Sequence, residues 1–198
     1  MESYPFVLID VFTDTPLAGN PLAVVLGAEG LDAERMQALA REFNLSETTF
    51  VLQPRSLEAT RRLRSFSPIA EVFGAGHNAL GAWWAVLARG DVPLPEGETT
   101  LWQELGERVL PVSVTRASGR LRRIAMTQAT PRVGPDPPVL DALAQYIVGR
   151  ERAREGEWLT IEQGDEIRRP SRIEVRVKGE RVEVAGRCAV VAEGNLLL

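Results

Sequence analysis

Asn44-Leu45-Ser46-Glu47-Thr48-Thr49-Phe50-Val51 sets a carboxylate at the head of a run that favours an extended, buried backbone. β-Branched and aromatic side chains suit a pleated surface, so Thr48, Thr49, Phe50 and Val51 predict a strand. Successive strand residues point to opposite faces, which puts Leu45, Glu47, Thr49 and Val51 on one side. If Leu45 and Val51 face a core or a cleft, Glu47 shares that environment. Desolvation would then raise its pKa, which suits a carboxyl that moves protons near neutral pH. The plainer alternative is the polar face of an edge strand with Glu47 in water, because glutamate is almost never fully buried without a partner.

Working outward, Asp32 is a suitable N-cap for a helix over Ala33 to Phe43, with Met36, Leu39, Ala40 and Phe43 on one stripe. Asn44 stands where a left-handed residue would stop that helix. The junction from Asn44 to Glu47 is therefore tight and can aim a side chain. Before the helix, Phe6 to Phe12 and Leu22 to Leu26 read as buried strands, joined through Thr13 to Pro21 by turn residues. After Glu47, Arg62 to Phe66 reads as a strand, and Arg61-Arg62-Leu63-Arg64 as its wet face rather than a phosphate site. Phe73-Gly74-Ala75-Gly76-His77-Asn78 then enters a helix that is apolar nearly all round up to Ala88, which predicts a buried central helix. A glycine-rich helix start presents free N–H groups and the positive end of the dipole, which suits a carboxylate. His77 and Asn78 stand in that first turn. A capping or packing role for the lone histidine is the alternative.

Further strands are expected over Thr99 to Trp102, Val109 to Thr115 and, past a Ser118-Gly119 turn, Leu121 to Thr127. The proline-rich stretch 131–138 reads as a linker. It is followed by a helix to about Arg152 and strands over Trp158 to Glu162, Ile173 to Val177, Val182 to Ala185 and Cys188 to Ala192. This predicts an α+β chain: residues 1–130 as a complete domain, a curled sheet or barrel around the apolar helix, and 139–198 as a partial second domain of one helix and three or four strands.

The chain has 198 residues, is 44% hydrophobic and 25% charged, and carries a formal net charge of -4. That is an ordinary globular composition, and its acidic balance argues against a nucleic-acid surface. One Cys and one His exclude a Cys/His zinc cluster and any disulfide within the chain. The reading is a soluble, cytoplasmic protein with no membrane association, and with Cys188 as an inert core thiol.

Several motifs, in this order, resemble the phenazine biosynthesis PhzF-like family, which has the diaminopimelate epimerase-like fold. They are Asp10-Val11-Phe12-Thr13, Ala18-Gly19-Asn20-Pro21-Leu22-Ala23-Val24, Asn44-Leu45-Ser46-Glu47-Thr48, Gly74-Ala75-Gly76-His77, Ile161-Glu162-Gln163-Gly164 and Arg169-Pro170-Ser171-Arg172. The resemblance implies two barrel-and-helix domains facing each other across a cleft, with Glu47 as the acid/base residue. Gly76 and His77 would line the cleft, and with Asn78 and Ser46 they are the expected substrate contacts. The implied reaction is a cofactor-free isomerisation, in which a glutamate removes a proton from a small carboxylated ring and returns it elsewhere. The chain departs from the family at the second-domain motif Asp-Pro-x-Thr-Gly-Ser, for which Asp136-Pro137-Pro138 is only a partial match. Open strand edges on an incomplete barrel favour pairing with another chain, so a homodimer is expected. The competing reading is a catalytically inactive remnant that binds a ligand or partner. A two-cysteine epimerase is unsupported with Cys188 alone, and a hydrolase is unsupported because Ser46 has no His near it in sequence.

Overall fold

The computed structural model describes residues 2–74, 76–127, 154–179 and 181–198. Strand β1 (Ser3–Val11) pairs antiparallel with β2 (Asn20–Val25). A short 3-10 turn and helix α1 (Ala33–Phe43) follow, then β3 (Thr48–Leu52) runs parallel to β2. Strands β4 (Arg61–Phe66) and the short β5 (Glu71–Val72) precede helix α2 (His77–Ala88). The chain continues through β6 (Gly97–Leu105), β7 (Arg108–Ala117) and β8 (Arg120–Thr127). After residue 154 come β9 (Leu159–Gln163), β10 (Ser171–Lys178), β11 (Arg181–Gly186) and β12 (Cys188–Leu197). The described strands form one mixed, mostly antiparallel sheet in the order β12-β1-β2-β3-β4-β6-β7-β8-β11-β10-β9, with β5 beside β4.

Local chemistry accounts for the elements around the site. Asp32 Oδ1 accepts the Arg35 N–H at 2.8 Å and opens α1; Asn44 closes it with φ 51° and ψ 36°. Ser118 and Gly119, both at positive φ, make the β7–β8 turn. Helix α2 is packed on nearly every side: Ala79, Leu80, Ala82, Trp83, Ala85 and Val86 are fully buried, and Trp83 Nε1 donates to buried Gln103 Oε1 at 3.0 Å. A side chain at Gly81 would sit 2.6 Å from Leu22 Cδ2 and 2.8 Å from Val11 Cγ2. Glycine there lets the helix lie directly on β1 and β2.

Three expectations change. The described strands after residue 154, expected to stand apart in a partial second domain, continue the sheet of the first. Strand β11 pairs with β8, and β12 pairs with β1 along Ser3–Val11. The linker 131–138, its Asp136-Pro137-Pro138 and the helix after it lie outside the described residues. The last strand, expected over Cys188 to Ala192, runs on to Leu197, and Gly194 within it lies opposite Phe6 and leaves room for its ring. Arg61 and Arg64 of β4 are half-buried and tied rather than a wet face, while Arg62 Nε is buried with no partner among the described residues. Arg64 forks onto Glu71 at 2.7 and 2.8 Å, and Arg61 donates to the carbonyls of Thr60 and Asp91. Cys188 is a buried core thiol as expected, and desolvation pushes its pKa well up.

Candidate active site

Strand β3 is the shared support of the site. Phe50 and Leu52 turn toward α1, with Met36 and Leu39, while Val51 packs with α2. Thr49, on the α2 side, donates through Oγ1 to the Asn78 carbonyl at 3.5 Å and lies 2.9 Å from Ser65 Oγ. The two-residue period of a strand then puts Glu47 on that same side, one step before Thr49. The facing residue one step before Asn78 is His77. Glu47 Oε2 accordingly approaches His77 Nε2 at 2.8 Å.

Glu47 and His77 are half-buried, with 21% and 14% of their side chains exposed. Glu47 Oε2 and His77 Nε2 lie within hydrogen-bond distance, and no other described side chain or backbone group donates to that oxygen. The imidazole still dominates the electrostatics. It holds the Glu47 carboxyl below the usual carboxylate range, with Ser46 helping and burial opposing. The expected upward shift is thus reversed, because the hydrogen bond from the imidazole outweighs desolvation. Glu47 rests ionised.

The other expected site residues sort by what they touch. Gly76 precedes the first turn of α2, whose first intrahelical bond runs from the Leu80 N–H to the Gly76 carbonyl at 3.2 Å. The Gly76 N–H itself is taken by Asn78 Oδ1 at 2.8 Å. Ser46 is exposed, and its Oγ is 3.5 Å from His77 Nε2, so folding supplies the histidine that its sequence neighbourhood lacks. At that distance, and with Glu47 closer to the same nitrogen, it is not an activated nucleophile. Asn78 is 3% exposed, and both ends of its amide are taken by backbone. It is therefore not presented to a ligand as a substrate contact.

Sequence reasoning missed a second charged cluster. Buried Asp10 receives Arg169 Nη2 at 2.6 Å and the Leu17 N–H at 2.7 Å, while Arg169 also donates to the carbonyls of Ala18 and Gly19. Both residues stand in the motifs quoted above, and an apolar strand carrying a lone Asp was the available signal. A cleft of about 670 Å³ lies between the loop after β1 and strands β9 and β10, with Thr13, Thr15, Glu162, Arg172 and Arg187 among its walls. Neither Glu47 nor His77 lines it, so its size does not mark the chemistry. No helix among the described residues is long and apolar enough to cross a membrane.

Comparison with known proteins gives this geometry a family. The chain is 39% identical over 126 residues to the trans-2,3-dihydro-3-hydroxyanthranilate isomerase of Pseudomonas aeruginosa, covering 64% of this chain and 43% of that enzyme. It is 54% identical over 82 residues to an uncharacterized isomerase of Mesorhizobium japonicum, covering 41% of this chain and 27% of the relative. The chain thus spans between about a quarter and a half of the curated relatives it matches. Its fold is similar to the PhzF-family phenazine biosynthesis protein of Bacillus anthracis, with TM-score 0.82 at 21% identity over 100% of both chains. It is also similar to a hydroxyproline epimerase of Agrobacterium vitis, with TM-score 0.67 at 10% identity, over 98% of this chain and 92% of that one. The family profile described as phenazine biosynthesis-like protein matches residues 9–137, which takes in the Glu47 junction, the His77 turn and the strands between them, so the chain belongs to that family.

Proposed function

We propose that the chain is a PhzF-like isomerase that moves a proton on a small carboxylated substrate without a cofactor, using Glu47 as the acid/base. One observation carries the reading: an ionised, half-buried carboxylate set 2.8 Å from an imidazole at the mouth of a buried helix. A carboxylate ready to accept is the starting state the reaction needs. Glu47 takes a proton from a substrate carbon, the C–H electron pair moves into conjugation, and the same group returns the proton at another carbon. Atoms and charge balance, and only the double bonds move. Substrate displacing water adds desolvation, which already pushes the Glu47 pKa up, and so makes the protonated group a better donor for the return step. The N–H groups of the first α2 turn suit the substrate's carboxylate, with Gly76, His77 and Ser46 around it. The name of the Pseudomonas relatives supports this substrate class, since an anthranilate carries a ring carboxylate.

Because the matched stretch is under half of those relatives, turnover itself is part of the proposal, and a binding protein that keeps this half of the cleft is the second reading. A homodimer in the cytoplasm belongs to the proposal too; gel filtration at micromolar concentration giving only monomer would remove the dimer. Incubating the chain with trans-2,3-dihydro-3-hydroxyanthranilate in D2O tests catalysis directly. Deuterium incorporation that Glu47→Gln abolishes, with ligand binding retained, supports the isomerase. Binding without exchange in the native chain supports the second reading.

A further inference from the structure

Asn78 follows His77 in the first turn of α2, yet its side chain does not reach into solvent. Its Oδ1 accepts the Gly76 N–H at 2.8 Å, and its Nδ2 donates to the Gly74 carbonyl at 2.9 Å. One amide therefore ties the Gly74 carbonyl and the Gly76 N–H together, just before His77. The Asn78 main-chain carbonyl is in turn the acceptor for Thr49 Oγ1, itself held by Ser65. Asn78 is thus one residue from His77 on the helix and tied to the strand two residues from Glu47.

We propose that Asn78 is the positioning residue of the Glu47–His77 pair, fixing the spacing between the glycine turn and the head of β3. The catalytic meaning of this role rests on the proposed function, although the geometry does not. A turn with glycine at both ends has the most backbone freedom to lose, so it needs a fastener. A donor and an acceptor on one short, uncharged fork are what the Gly74 carbonyl and Gly76 N–H require, and asparagine supplies both. An aliphatic residue supplies neither, and an aspartate lacks the donor.

His77 is the one histidine of the chain, so its ring gives a single set of NMR resonances. In folded Asn78→Ala the Glu47 carboxyl titration is expected to move up toward the ordinary range, with the His77 ring resonances displaced. If catalysis is present, kcat is expected to fall by about tenfold to a hundredfold with KM changed far less, as for a misplaced catalytic group. A folded variant with an unmoved Glu47 titration and unmoved His77 resonances overturns the proposal. His77→Ala separates the two levels of inference. If the Glu47 titration stays put there, the Glu47–His77 pair fails, and the proposed function with it. If it moves in His77→Ala but not in Asn78→Ala, only the positioning role fails. Should Asn78→Ala not fold, Asn78→Ser and Thr49→Val decide: a smaller upward movement in both supports the role, and none in either overturns it.

Discussion

Two paired carboxylates in this molecule, Asp10 and Glu47, differ in how completely they are used. Asp10 is almost sealed, with 3% of its side chain exposed, and each of its oxygens has a donor, one from Arg169 and one from the Leu17 N–H. Glu47 is more open, at 21%, and its Oε2 meets the His77 imidazole at 2.8 Å. Saturated buried charge holds structure, and it has no capacity left to bind anything else. A carboxylate left partly open at the edge of a core can still meet a substrate or a proton. The contrast assigns Asp10–Arg169 to the fold and Glu47–His77 to the chemistry we propose.

Removing the carboxylate that carries the chemistry should break the comparison most visibly. Glu47→Gln keeps the shape and is expected to lower isomerisation by about a hundredfold to ten-thousandfold, the usual weight of a general acid–base group. Its stability should fall by no more than about 1 kcal/mol, the worth of the lost contact with His77. An E47Q chain that turns over normally would put the chemistry elsewhere.

Arg169→Ala attacks the other pair and should read out in stability. It leaves a buried Asp10 without its countercharge and frees the Ala18 and Gly19 carbonyls, a loss of about 3–5 kcal/mol for a broken buried pair. Chemical denaturation measures it. Loss of activity without loss of stability would mean the two clusters have been assigned the wrong way round.

Much of this division was legible in the residues. Helix α1 runs over its expected span because Asp32 caps it and Asn44 adopts the left-handed stop. The facing of Glu47 follows from strand alternation and survives in the structure, since Thr49 and Val51 do turn toward α2. What the sequence could not express is distance along the chain. Ser46 and His77 are 31 positions apart, and Asp10 and Arg169 are 159 apart, so neither pairing has a local signature. The sign of the Glu47 shift is illegible for the same reason: burial is a local inference, whereas the imidazole arrives from another element. The joining of β12 to β1 is hidden likewise, because any alternating strand can complete an edge.

The smallest effect sharpens the electrostatic half of the comparison. His77 keeps the Glu47 carboxyl below the usual range, so the folded pKa lies under the unfolded one, about 4.3. A depressed carboxyl contributes stability that is present above the unfolded pKa and is lost as pH falls through the folded pKa. His77→Ala should therefore cost about 1 kcal/mol near neutral pH, the net worth of one such contact. The gap should close in acid, once Glu47 is protonated in both proteins. Urea denaturation of the two chains from about pH 7 down to about pH 3 reads this difference, since that window brackets the carboxylate range. A gap that persists unchanged at the acid end would trace the loss to imidazole packing and would leave Glu47 without the neighbour that sets its charge.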